Sequence, residues 1–270
     1  MPKFETPEPI MARIDAGAGA VRLTATDRSD TVVEVRPRDE SCGSDVWAAE
    51  HTRVEFRDGK LVVSGAKRGL PRFRGGAIDL EIALPSRSRV YASLASADMR
   101  ADGEFADFRF GSGSGTVHVG SVAGKIKGAS ASGSFSVNTV EGYASLATAS
   151  GAVSVGNLDG ELRFKAASGS LNVATLRGGV KSRTASGSVT VSAAVRGAVS
   201  AHTGSGDVAV GIPEGTAARL DVSTGSGVVT NQLQPSEGPE LGDQTLVLQV
   251  RSGSGDVNIH RAPAHETVGG

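Results

Sequence analysis

One cysteine, one tryptophan and two tyrosines are spread over 270 residues, and no long apolar run occurs. Each scarcity excludes something. Cys42 has no partner for an internal disulfide, and paired thiolates cannot build a metal site. No stretch approaches the roughly 18 apolar residues of a membrane span, so membrane insertion is not expected. Aromatics are only 4% of the chain, so a large aromatic core is absent. The opening Met-Pro-Lys-Phe-Glu-Thr-Pro-Glu-Pro has no basic stretch followed by an apolar one, which points to a cytoplasmic protein. A net charge of −1 gives no bulk field for nucleic acid.

What the chain does have is glycine, 37 residues of it, beside abundant Val, Ala, Leu and Ile. That mixture suits short strands and tight turns. Glycine does not fall at every third position, which excludes collagen. Instead a Ser-Gly pair returns at fixed distance. Ser114-Gly115, Ser132-Gly133, Ser150-Gly151, Ser168-Gly169 and Ser186-Gly187 are each 18 residues apart. The series continues at Ser205-Gly206, Ser226-Gly227 and Ser254-Gly255 with insertions of 1, 3 and 10 residues. Ser96 is a degraded first copy.

Other columns keep this register. Three residues after each Ser stands an apolar side chain: Val117, Phe135, Val153, Leu171, Val189, Val208, Val257. Five after it comes Val119, Val137, Val155, Val173, Val191, Val210 or Ile259, with polar His118, Ser136, Ser154, Asn172 and Thr190 between. Alternation is the strand pattern, and a fixed period makes each repeat one structural unit. Stacked at about 4.8 Å, such units turn every column into a ladder of like residues. The expected fold is all-β, a single-domain parallel β-solenoid (β-helix) with 18-residue coils over residues 96–261. Gly124, Gly142, Gly160 and Gly178 mark a second turn, and the Ala column Ala131, Ala149, Ala167, Ala185 is expected at an interior corner.

Residues 1–95 are strand-rich but irregular and read as an N-terminal cap continuous with the solenoid. Asp58-Gly59 between two apolar runs predicts a hairpin. Ser44–Thr52 predicts a short helix anchored by Trp47, and 262–270 reads as a disordered tail. After His260 no capping element follows, so the last coil is expected to be an open end suited to self-association.

The Ser-Gly-x-Val-x-Val copies, the closing Gly204-Ser205-Gly206-Asp207-Val208 and Gly253-Ser254-Gly255-Asp256-Val257, and the Leu84-Pro85 turn resemble the bacterial "putative adhesin" β-strand-repeat family. The family is one of unknown function, and the opening residues look like its actinobacterial cytoplasmic members. The resemblance implies a parallel β-solenoid and brings no catalytic residues. Most copies here carry Ser, Ala or Thr after Ser-Gly where the family pattern has Asp.

The chain offers little for chemistry to use. Calcium β-rolls need an Asp in each turn, because Ca²⁺ takes six or more oxygens. Here only Asp207 and Asp256 qualify, in coils that are not successive. The five His show no i,i+4 pairing, so neither a metal nor a cofactor is expected. Gly111-Ser112-Gly113-Ser114-Gly115 matches a nucleophile elbow by letter but precedes a strand. Between 111 and 210 the acids Glu141, Asp159, Glu161 and Asp207 fall in different columns, which disfavours a polysaccharide-cleaving β-helix enzyme. One surface feature remains. Outward positions of the second strand carry Lys125, Lys127, Arg163, Lys165, Lys181 and Arg183. The plain reading is a solvated face that discourages edge aggregation; the sharper one is a binding face for an anionic polymer or an acidic protein surface. The functional expectation is a non-enzymatic scaffold or interaction protein presenting repeated surfaces to a partner or to itself. A surface adhesin binding carbohydrate or host material is the alternative.

Overall fold

The computed structural model describes residues 2–65, 76–234, 238–239 and 242–262. The chain divides into two compact units, Met1–Val140 and Glu141–Gly270. Among the described residues it is all-β except for one short helix, and no helix is long and apolar enough to cross a membrane. Lys67–Arg74, a basic stretch of the sequence, lies outside the described residues, as do 263–270 and part of 235–243, an acidic stretch that interrupts the repeat.

In the first unit β1 spans Lys3–Glu5, β2 Met11–Thr26, β3 Asp30–Pro37, β4 Arg53–Arg57, β5 Lys60–Ser64 and β6 Ile78–Pro85. The longer β7 (Ser88–Ser112), β8 (Val117–Ser130) and β9 (Phe135–Val140) follow. Strand β2 alternates, so Ala12, Ile14, Val21 and Leu23 are buried. It is held on both edges. Met11 faces Arg89 of β7 on one side and Lys60 of β5 on the other, all parallel. Outside these lie antiparallel strands: β3 on β6, β1 on β3, and β4 on β5. The β4–β5 hairpin turns on Asp58 and Gly59 with φ of 49° and 71°, as the Asp-Gly pair predicts. From β7 onward the ladder is parallel with partners 18 apart, Met99 on Val117 and Val117 on Phe135. Its interior is filled by Phe105, Phe108, Phe110 and Phe135, each ring 4.7–6.4 Å from the next.

The helix, α1, runs Gly43–Glu50. Trp47 is half-buried and stacks on His51, and Asp45 ties the helix as well. The Asp45 carboxylate is buried and accepts the Ala77 N–H at 2.9 Å. A carboxylate accepting a backbone N–H is a second tie on the helix beside the stacked ring.

In the second unit β10 is Tyr143–Thr148, β11 Val153–Ala166, β12 Leu171–Thr184, β13 Val189–Ser205 and β14 Val208–Ile212. Then come β15 (Thr216–Thr224), β16 (Val229–Asn231), β17 (Gln244–Ser254) and β18 (Val257–Arg261). Residues 153–166 of β11 pair with 171–184 of β12, and 171–176 with 189–194 of β13, always 18 apart. A one-residue shift at Leu176/Arg177 absorbs the first insertion. The apolar columns at the third and fifth positions are buried at every copy from Val153 to Ile259 except in β16.

Two expectations are corrected. The final strands are not the open end. Strand β17 lies between β13 and β15, and β18 between β14 and β16, parallel on both sides. The outermost layer is therefore β15 with β16, where Val228 and Val229 are 63% and 43% exposed. Threading the last strands inside satisfies both of their edges and leaves the edge to an earlier segment. Asp207 and Asp256 consequently sit in adjacent layers, the Asp256 N–H donating to Asp207 Oδ1 at 2.9 Å. The Ala column is also misplaced. Ala131 in the first unit, and Ala149, Ala167 and Ala185 in the second, are exposed, while the Ser-Gly glycines Gly133, Gly151, Gly169 and Gly187 are buried.

What holds that corner at most copies is a hydroxyl two residues before the Ser-Gly, Ala166 being the exception. In the first unit Ser130 Oγ accepts the Gly133 N–H at 2.9 Å. In the second, Thr148 Oγ1 accepts the Gly151 N–H at 3.0 Å, and Thr184 Oγ1 donates to Gly187 O at 2.9 Å. Burying backbone groups at a turn requires such partners.

Candidate functional site

The strand register decides which side chains share a face. On the solvent side of the second unit one row runs Ser145, Arg163, Lys181, Ser200, Gln249, Asp221 across β10, β11, β12, β13, β17 and β15. The next row is Ala147, Lys165, Arg183, His202, Arg251, Ser223. Alternation sends the intervening Phe164 and Ser182 inward. Arg163, Lys165, Lys181 and Arg183 are thus two rows of two on neighbouring strands, all exposed. They border a groove of about 300 Å³ closed on its far side by Ser200 and His202.

Of the six residues the sequence nominated, the structure brings these four together. Lys125 and Lys127 stand on β8 of the first unit, where their register partners are Asp107 and Arg109 of β7. Asp107 accepts the Lys125 backbone N–H at 2.9 Å.

The electrostatics of the four are unusual for a sheet face. None of them forms an ion pair among the described residues, although the face's other cation, Arg251, is bound by Asp221 at 3.1 Å. The guanidinium of Arg163 lies 5.6 Å from the Tyr143 ring centroid, a contact that orients it without neutralising it. Like charges directly opposite one another on adjacent strands destabilise the pairing. The face therefore carries a net positive charge at fixed spacing, its one nearby acid on β11 being Glu161, two residues before Arg163. Such an array attracts an anion with charges repeating at about one strand separation, near 4.8 Å. A second groove of about 300 Å³, in the first unit, is mixed in sign: Arg22 is paired with Glu81 at 3.6 Å, and Asp98 accepts the Thr116 N–H. Arg22 and Arg100 are paired there, while Asp79 Oδ1 is buried without a hydrogen-bond partner among the described residues.

Ser200, His202 and Arg251 were not found from the sequence, yet a signal for two of them exists. Counting backward three residues from each Ser-Gly gives Lys165, Arg183, His202 and Arg251. Counting forward loses them, because insertions fall earlier in the repeat. No group of three or more His, Cys, Asp or Glu able to hold a metal occurs among the described residues.

Among curated proteins the chain has no match. Among solved structures it is similar to a "Putative lipid binding protein" from Parabacteroides distasonis ATCC 8503, with a TM-score of 0.53 and 12% identity over 95% of each chain. It is also similar to a "putative adhesin" from Bacteroides fragilis NCTC 9343, with a TM-score of 0.48 and 14% identity over 96% of this chain and 95% of that one. At such identities the first likeness establishes the fold alone, and the narrower actinobacterial grouping gains no support from either. The Toastrack DUF4097 pattern matches residues 14–260, from the buried Ile14 of β2 to His260 of β18. That span takes in both interleaved ends and every Ser-Gly copy, and on it the chain belongs to the Toastrack DUF4097 family.

Proposed function

We propose that this protein is a non-enzymatic β-solenoid scaffold, built of 18-residue coils, that docks an anionic polymer on its basic ladder. The observation carrying the reading is the set Arg163, Lys165, Lys181 and Arg183, stacked on adjacent strands beside a groove and lacking ion pairs among the described residues. A non-enzymatic role accords with the placement of the acids: Asp159 is engaged by Arg196 at 3.8 Å, and Asp207 by the Asp256 backbone. The partner is phosphate-rich, since rigid rows of cations match a chain of regularly spaced charges better than a single carboxylate. The reading keeps the protein in the cytoplasm, and cell fractionation tests that placement.

The experiment is binding of fluorescent inorganic polyphosphate by anisotropy across a salt series. Wild type is expected to bind with a log K that falls linearly with log salt. Arg163→Glu with Lys181→Glu should weaken binding about tenfold or more and flatten the slope by about one per cation lost. Lys125→Glu with Lys127→Glu is the comparison, expected to change little. Absence of wild-type binding at low salt, or equal losses in both double variants, overturns the reading.

A further inference from the structure

The outermost layer of the second unit, β15 with β16, leaves an edge with no strand beyond it among the described residues. Edges of this kind template further pairing unless they are blocked. Here no proline or bulge interrupts β15, whose sequence is Thr-Ala-Ala-Arg-Leu-Asp-Val-Ser-Thr. The end of the interior is also uncovered. Leu220 and Val222 point inward yet stay half-buried, and Val228 and Val229 are exposed.

The direction of the free backbone groups follows from the bonds already made. Gln244 donates to Gly215 O at 2.9 Å, and the Gly225 N–H donates to Ser252 O at 3.0 Å. Odd-numbered residues of β15 therefore turn their N–H and C=O toward β17. Even-numbered Ala218, Leu220 and Val222 turn theirs outward. An antiparallel copy centred on Leu220 would make Leu220 a hydrogen-bonded pair with its own equivalent, with Ala218 opposite Val222. Arg219 then falls opposite Asp221 of the other copy in a non-hydrogen-bonded pair, where side chains approach most closely. Both are exposed and on the same face. Asp221 is held in place by Arg251, while Arg219 has no ion pair among the described residues. The charge pattern about Leu220 is thus self-complementary under a two-fold axis, which is what an isologous interface requires.

We propose that the protein dimerises edge to edge through β15, two copies meeting antiparallel about Leu220 and continuing one sheet and one apolar interior. The partner this edge fits is a second copy of the chain, and the contact closes on itself instead of growing into a filament. It uses none of the four ladder cations and stands apart from the polymer-binding reading.

The test is light scattering on the full-length protein over a concentration series. The expected mass rises to twice the 27.3 kDa chain and no further. Arg219→Asp sets acid against acid at both symmetry-related pairs, and Asp221→Arg sets base against base. Each variant alone should weaken the dimer about tenfold or more. Mixed together, they restore both opposite-charge pairs and should recover the dimer, which also shows that neither variant has misfolded. Arg163→Glu with Lys181→Glu should leave the mass unchanged. A wild type that stays at the mass of one chain, a mass that climbs without limit, or a mixture that fails to recover the dimer would each overturn the proposal.

Discussion

Two glycines of the second unit separate the cost of a backbone angle from the cost of a close approach. Gly197 has φ of +107° and Gly215 φ of +75°, so Ala at either position meets a conformation that side chains disfavour, at about 1–2 kcal/mol. They differ in what a Cβ would touch. At Gly215 nothing lies within 4 Å, whereas at Gly197 the new carbon would stand 1.8 Å from the carbonyl oxygen of Gly178 and 2.6 Å from its carbon. Gly178 is the register partner of Gly197, so the strain falls on the ladder between β12 and β13. Relieving it requires those strands to part locally by more than an ångström, which sacrifices about two ladder hydrogen bonds at roughly 1 kcal/mol each. Gly197→Ala should therefore cost about 3–4 kcal/mol and Gly215→Ala about 1–2 kcal/mol. Urea titrations followed by far-UV circular dichroism measure both. If the two variants fell within about 0.5 kcal/mol of each other, the close-approach account of the glycine column would be wrong.

The buried hydroxyls give opposite signs. Thr148→Val strands the Gly151 N–H and should destabilise by about 1–2 kcal/mol, while Ser182→Ala removes a buried Oγ that has no partner and should be neutral or stabilising by up to about 1 kcal/mol, read in the same titration. Asp30 supplies the pH dependence. The Arg28 side chain bonding it at 2.7 Å, helped by Lys3 at 3.1 Å, lowers its pKa from 3.8 to about 2. A depressed acid contributes stability above its unfolded value and loses it as pH falls through the folded one, so the loss should come between about pH 4 and pH 2. Carbon-detected NMR titration of Asp30 checks this, and a midpoint near 3.8 would remove the contribution.

The repeat was legible because its columns are made of buried, nearly identical residues. Val153, Leu171 and Val189 have one environment and hence one kind of side chain. The Asp58-Gly59 hairpin was legible for a local reason: two consecutive positive φ angles restrict the residue types. Stacking order was not legible from spacing, since a strand's partner need not be its neighbour in sequence. The clue lay in identity: the matching Gly-Ser-Gly-Asp-Val at 204–208 and 253–257 belongs to layers in direct contact, and the dissimilar 225–229 lies outside them. The basic ladder was half legible. Its four cations follow from the period, but of the other two only Lys127 shares a column with Arg163 and Lys181, while Lys125 falls in the column of Glu161 and stands opposite Asp107. The Ala column misled because small size suits an exposed tight turn as well as a crowded interior.

The placement of β17 between β13 and β15 sets an order on the protein's synthesis. A chain leaving the ribosome exposes β15 and β16 well before the strands that will carry them exist, so that layer has nothing to dock on until residue 261 has emerged. Translation therefore leaves β15 and β16 without their pairing partners until β17 and β18 have emerged, and these last two layers assemble together. A chain cut short after β16 would keep every Ser-Gly copy but the last and still leave β15 with no strand to pair against.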